Sequence, residues 1–189
     1  MDLAAQLRAF RPWNEQEERD REALLRLLEN GQAPYGREDP AHLTASAWVV
    51  SPGRDRVLLA YHNLYDSWSW LGGHADGERD LLSAALREVR EESGLEEVRP
   101  VSRDIYSVEI LTVDGHEKRG RYVSSHLHLN VTFLLEADPA APVRRKAGEN
   151  SAVAWFALEE AVAASTEPWF QARIYSKLNA KLAGYPPLR

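Results

Sequence analysis

A chain of 189 residues is long enough for one domain with a sizeable core, and 44% hydrophobic with 28% charged side chains is the balance of an ordinary soluble globular protein. The absence of cysteine excludes disulfides, thiolate nucleophiles and Cys-ligated zinc, and a net charge of −6 argues against a general nucleic-acid binder, which needs a basic face. The opening run MDLAAQLRAFRPW lacks the apolar core of a signal peptide and no stretch reaches membrane-spanning length, so a cytoplasmic protein with no membrane partner is expected.

In chain order, Asn14–Asn30 is predicted as a helix, with Asn14 as N-cap, Glu17 three residues on, an apolar face of Leu24, Leu25, Leu27 and Leu28, and Gly31 as the stop. Residues 32–40, carrying Pro34, Gly36 and Pro40, read as a linker between an N-terminal helical extension (1–40) and a main domain (41–189). Thr44–Val50 and Arg56–Tyr61 are short strands flanking a turn, and Trp68–Leu71 is an extended run ending at Gly72-Gly73. A helix is predicted over Asp80–Glu92, closed by Ser93-Gly94. Asp104–Val113 and Val123–Leu135 read as strands joined by the polar turn Asp114–Gly120, and Ala152–Ala157 as a last short strand. Leu158–Ala164 and Trp169–Ala183 are predicted helices, the second led by Pro168. Helices and strands mix without regular βαβ alternation, so the expected class is α+β, a mixed sheet sandwiched between helices. The basic cluster Arg144, Arg145 and Lys146 reads as a solvated turn, or as a contact for an anionic substrate.

The chemistry concentrates in residues 72–95. On a helix, Glu88, Glu91 and Glu92 stand at i, i+3 and i+4 and share one face. Three like charges at that spacing repel, and a hard divalent cation such as Mg²⁺ relieves the repulsion. The plain alternative is a charged surface helix whose glutamates pair with Arg87 and Arg90. Gly72-Gly73 ahead of the helix, Gly77, and Gly94 at its end produce a tight loop–helix–loop, a shape that helix propensity alone does not require.

Gly73, Arg87, Glu88, Val89, Glu91, Glu92, Gly94 and Leu95 resemble the Nudix box, G-x5-E-x7-R-E-U-x-E-E-x-G-U with U aliphatic. One position departs: the isolated glutamate of the pattern falls on Arg79, with Glu78 one residue early and Asp80 one late. The box covers 23 residues, and the surrounding strands extend the likeness to about residues 42–165. The resemblance implies a Nudix fold and hydrolysis of a diphosphate linkage in a small-molecule substrate of nucleoside diphosphate-X type. It implies Mg²⁺ or Mn²⁺ held by Glu88, Glu91 and Glu92, Arg87 orienting a neighbouring carboxylate, and a general base outside the box, for which Glu149 is the candidate. A Nudix-fold sensor that binds a nucleotide metabolite without turnover is the alternative, and the intact box acids speak against it. Trp68, Trp70, Tyr61, Tyr65 and Tyr122 are candidates to stack on a base or to fill the core.

Four of the six histidines take suggestive places: His42 before the first strand, His74 in the Gly-Gly loop, and His126 and His128 on one strand face. The segments His42–Trp48 and Gly73-His74 are similar to motifs of isopentenyl-diphosphate isomerase, a Nudix-fold family that binds a metal with histidines and glutamates. That likeness suggests a second, zinc-like metal at His42, His74 and one or both of His126 and His128, against the plainer reading that they hydrogen-bond substrate or line a cleft. Isomerase chemistry itself is disfavoured, because it uses a cysteine that this chain lacks. The extra N-terminal helix is a candidate for packing or for homodimer contacts.

Overall fold

The computed structural model describes residues 2–31, 34–118 and 120–187; Gln32 and Ala33 of the expected linker lie outside the described residues. It opens with a helix that the sequence reading leaves out, α1 (Leu3–Ala9), whose N-cap Asp2 accepts the Ala5 N–H and which buries Leu3 and Leu7. Two turns carry too few periodic residues to stand out from sequence. Helix α2 (Glu15–Glu29) starts where its cap predicts: Asn14 accepts the Glu17 N–H at 3.0 Å, and Glu17 reaches back to the Trp13 N–H at 2.7 Å.

The mixed sheet is built on β1 (Ala41–Val50). β2 (Arg56–His62) turns back antiparallel to the end of β1 and pairs in turn with β3 (Ser67–Ser69) and β10 (Asn150–Ala157). β4 (Leu71–His74) lies antiparallel to the start of β1 and leads to α3 (Leu81–Ser93). β9 (His126–Glu136) runs parallel to the whole of β1, and its other edge pairs with β5 (Arg99–Pro100) and β6 (Ser107–Val113). The polar stretch expected as a simple turn carries a small hairpin instead, β7 (His116–Lys118) with β8 (Arg121–Val123). Its strands lack the apolar alternation that marks a buried strand, because they form a two-stranded sheet of their own.

Period-two alternation sorts the two faces of this sheet. Leu43, Ala45, Ala47 and Val49 of β1 and Leu129, Val131, Phe133 and Leu135 of β9 join Leu82, Ala85 and Val89 of α3 and Leu7 and Leu24 of the N-terminal helices in one core. The opposite face puts Trp48, Val50 and Leu134 against Tyr175 and Leu178 near the C-terminus. There, α4 (Leu158–Ala164) forms as predicted, but the single helix expected over Trp169–Ala183 is segmented. A wide π-type turn (Phe170–Tyr175) precedes α5 (Ser176–Lys181) and a 3₁₀ turn (Leu182–Gly184). The widening buries the consecutive residues Ile174 and Tyr175 together. No helix among the described residues is long and apolar enough to cross a membrane.

The remaining alternate positions of the second face are polar. Parallel register places His42 beside His128, Thr44 beside Asn130 and Ser46 beside Thr132. Asn130 Oδ1 accepts from Thr44 and Ser46 at 3.0 and 2.8 Å, and its Nδ2 donates to Glu109 at 3.0 Å. Lys177 bonds Glu109 at 2.8 Å, and Lys181 bonds Glu17 at 2.7 Å, tying α2 and α5 to the sheet through buried charge. Burial alone raises the Glu17 carboxyl, but Lys177 and Lys181 outweigh it and hold it below its ordinary value.

Candidate active site

Helix α3 is shaped at both ends by its own residues. Asp80 caps its N-terminus by accepting the Leu82 and Ser83 N–H groups, and Glu78 accepts the Asp80 N–H at 2.9 Å. Glu78 therefore braces the helix start, and Arg79, standing where the pattern has glutamate, lays its guanidinium over the Tyr35 ring at 5.3 Å. At the other end Gly94 adopts φ 70°, a left-handed cap, with Arg144 packed directly on it.

The three helix carboxylates have different surroundings. Glu88 is buried against Gly73: a Cβ at residue 73 would fall 2.5 Å from its carboxyl carbon and 2.7–2.8 Å from its oxygens. Arg87 bonds Glu88 at 2.7 Å, approaches Glu91 at 3.7 Å and donates to the His74 carbonyl at 3.0 Å, clamping the helix to the loop. Glu92 is deeper and accepts the Gly72 N–H at 3.0 Å. Burial pushes the Glu92 carboxyl up to about 8, opposed by the Gly72 N–H and reinforced by Glu88. Burial also raises Glu88, with Arg87 opposing and Glu91 adding to the effect.

Glu91 stays half-exposed, and the Lys146 ammonium bridges it at 2.9 Å to Glu149 at 2.8 Å. Glu149 thus joins the box acids in space, and the hydrogen bond from Lys146 holds its carboxyl below its ordinary value. Lys146 is no solvated turn residue. Its loop is held on α3 by the Arg144 N–H to Ser93 carbonyl bond at 2.7 Å and by Asn150, which donates to the Glu92 carbonyl at 3.1 Å. Arg87 and Lys146 pair with these acids, Arg87 with Glu88 at 2.7 Å and Lys146 with Glu91 at 2.9 Å.

The four histidines do converge. One ring nitrogen from each of His42, His74, His126 and His128 lies within 4.8 Å of all the others. β1–β9 register aligns His42 with His128, alternation along β9 adds His126, and β4 brings His74 opposite Thr44. The loop after His74 is pinned by the Ala75 N–H to Leu43 carbonyl bond at 3.0 Å. Burial pushes His74 and His128 down to about 3, with Arg37 and the neighbouring imidazoles acting in the same direction. Of the aromatic candidates, Trp68 and Trp70 pack beside the second core, whereas Tyr65 and Tyr122 stay exposed. The Asn130 hub and the Lys146 bridge were not anticipated. The polar alternation His126, His128, Asn130, Thr132 was the available signal for the first.

The carboxylate helix α3 thus lies between glycine loops, held against the mixed sheet through β4. The family model described as NUDIX domain matches residues 40–178, and the chain belongs to the Nudix family. In fold it is similar to an Ap4A hydrolase from C. elegans solved as a binary complex, at 21% identity over 76% of this chain and 98% of that one, TM-score 0.52. It is also similar to the E. coli dihydroneopterin triphosphate pyrophosphohydrolase, at 16% identity over 75% and 96%, TM-score 0.54. A third is the Nudix hydrolase RenU from M. smegmatis, at 20% identity over 78% and 89%, TM-score 0.54. No curated protein sequence matches the chain.

Proposed function

We propose that the chain hydrolyses a diphosphate linkage in a nucleoside diphosphate-X type substrate, with Mg²⁺ or Mn²⁺ held by Glu88, Glu91 and Glu92. The observation that carries this reading is the Lys146 ammonium lodged between Glu91 of α3 and Glu149, a cation held by two of the acids. The donor set fits a hard divalent ion, being carboxylate oxygen throughout, and Gly73 leaves Glu88 the room that a Cβ would fill. When bound, such an ion neutralises diphosphate charge and lowers the pKa of an attacking water.

The protein's own groups do the rest. Arg87 fixes Glu88 and Glu91 relative to the His74 loop, as groups behind metal ligands do. Glu149, paired with Lys146, would accept the proton of the attacking water, and the Lys146 ammonium would pair with the anionic substrate. Helix α2 acts as a brace, with Gln16 bonded to the Val108 carbonyl at 3.1 Å and Asp20 to the Ile110 N–H at 3.0 Å.

The test is product release from a panel holding nucleoside diphosphate sugars, Ap4A and dihydroneopterin triphosphate, with Mg²⁺ and with chelator. Metal-dependent cleavage of at least one compound, abolished by Glu91→Gln, is the expected result. Tight binding without any product would support the sensor instead.

A further inference from the structure

We propose that His42, His74, His126 and His128 form a second metal centre, for a borderline divalent cation of the Zn²⁺ type, separate from the carboxylates of α3. It stands independently of the hydrolytic reading. Carbonyl oxygens only accept hydrogen bonds, so the contacts of His42 Nδ1 with the Asp39 carbonyl (2.9 Å) and of His126 Nδ1 with the Ser124 carbonyl (2.8 Å) place the proton on Nδ1 in both rings. In the neutral rings that leaves both Nε2 atoms as lone-pair donors, the arrangement in which a backbone carbonyl orients a metal-binding imidazole.

His42 is the anchor. It is only 4% exposed, and its Nε2 has no hydrogen-bond partner. Protonated on Nδ1, His42 can only accept at Nε2, and no group among the described residues donates to it. A metal ion satisfies it. His126 Nε2 lies 3.2 Å from His128 Nε2. In a tetrahedral centre with Zn–N bonds of about 2.0–2.1 Å, neighbouring nitrogens are about 3.3–3.4 Å apart, so this pair already has the required edge. The set contains no carboxylate and no thiolate, and four imidazoles select Zn²⁺, Cu²⁺ or Ni²⁺ over Mg²⁺. His74 joins this centre to the other through its carbonyl, which Arg87 holds.

The experiment strips the full-length chain with chelator and titrates it with Zn²⁺ calorimetrically, and with Co²⁺ by visible absorption, both in excess Mg²⁺. One Zn²⁺ per chain and the intense visible bands of four-coordinate Co²⁺ are expected. Affinity should fall about 100-fold or more in His42→Ala and in the double variant His126→Gln/His128→Gln, with circular dichroism confirming the fold, since even groups behind the ligands are worth about 10–100-fold. Glu91→Gln should keep its Zn²⁺. Failure of the unaltered chain to bind Zn²⁺ in excess Mg²⁺, or equal loss in Glu91→Gln, overturns the proposal. Mg²⁺-dependent hydrolysis is measured separately, so either conclusion can fall while the other stands.

Discussion

Gly73→Ala isolates the requirement for close approach between loop and helix. The new methyl would sit 2.5 Å from the Glu88 carboxyl carbon, where ordinary contact begins near 3.4 Å, so the carboxylate must retreat by about 0.9 Å. That retreat pulls against the 2.7 Å bond from Arg87 and shifts a proposed cation ligand. Misplacement on this scale costs about 100-fold in rate. Gly73 does not have a positive φ, so alanine brings no backbone strain of its own. The stability cost is then overpacking alone, about 1–3 kcal/mol, or a Tm lower by roughly 2–4 °C per kcal/mol for a chain of this size. Steady-state kinetics with Mg²⁺, alongside a thermal melt, should show kcat reduced about 100-fold in a folded protein. Wild-type kcat in a variant of unchanged Tm would refute the placement of Glu88.

Two other predictions concern charge. Glu17→Gln leaves Lys177 and Lys181 buried with Glu109 as the remaining acid bonded to Lys177, and should cost about 3–5 kcal/mol in urea denaturation. Because the folded-state pKa of Glu17 is lowered, its stabilisation is present above the ordinary value of 4.5 and disappears as pH falls through the folded value. The gap between wild type and variant should therefore close on acidification below about pH 4.5 and stay open at neutral pH; a gap independent of pH would rule out the ion pairing. Lys146→Ala removes the ammonium that competes for Glu91 and Glu149. With all three groups partly exposed to solvent the competition is worth roughly 1 kcal/mol, so half-saturating Mg²⁺ should fall about 5-fold. A rise would mean that Lys146 assists the cation.

What was legible in the sequence was local. Asn14, Asp80 and Gly94 mark helix ends because a cap depends on residues two to four positions away. Spacing alone put Glu88, Glu91 and Glu92 on one helix face, and alternation put His126 and His128 on one strand face. The convergence of His42 with His128 depends on the parallel β1–β9 register, which no local pattern encodes, so it rested on resemblance until the fold supplied it. The Lys146–Glu91 bridge spans 55 residues, and a basic triplet before a glycine reads as a turn until its loop is seen lying on α3. The π-type turn was hidden because the residues of 169–183 suit an uninterrupted helix, and only tertiary burial of Ile174 with Tyr175 widens it.

The central claim is that the α3 carboxylates bind the catalytic cation. Titration with Mn²⁺, reading the free ion by electron paramagnetic resonance after Zn²⁺ loading, tests it most directly. Mn²⁺ binding should be saturable, weaken at least about 10-fold in Glu88→Gln and in Glu91→Gln, and stay unchanged in His42→Ala. Equal Mn²⁺ affinity in the wild type and both glutamine variants would contradict it.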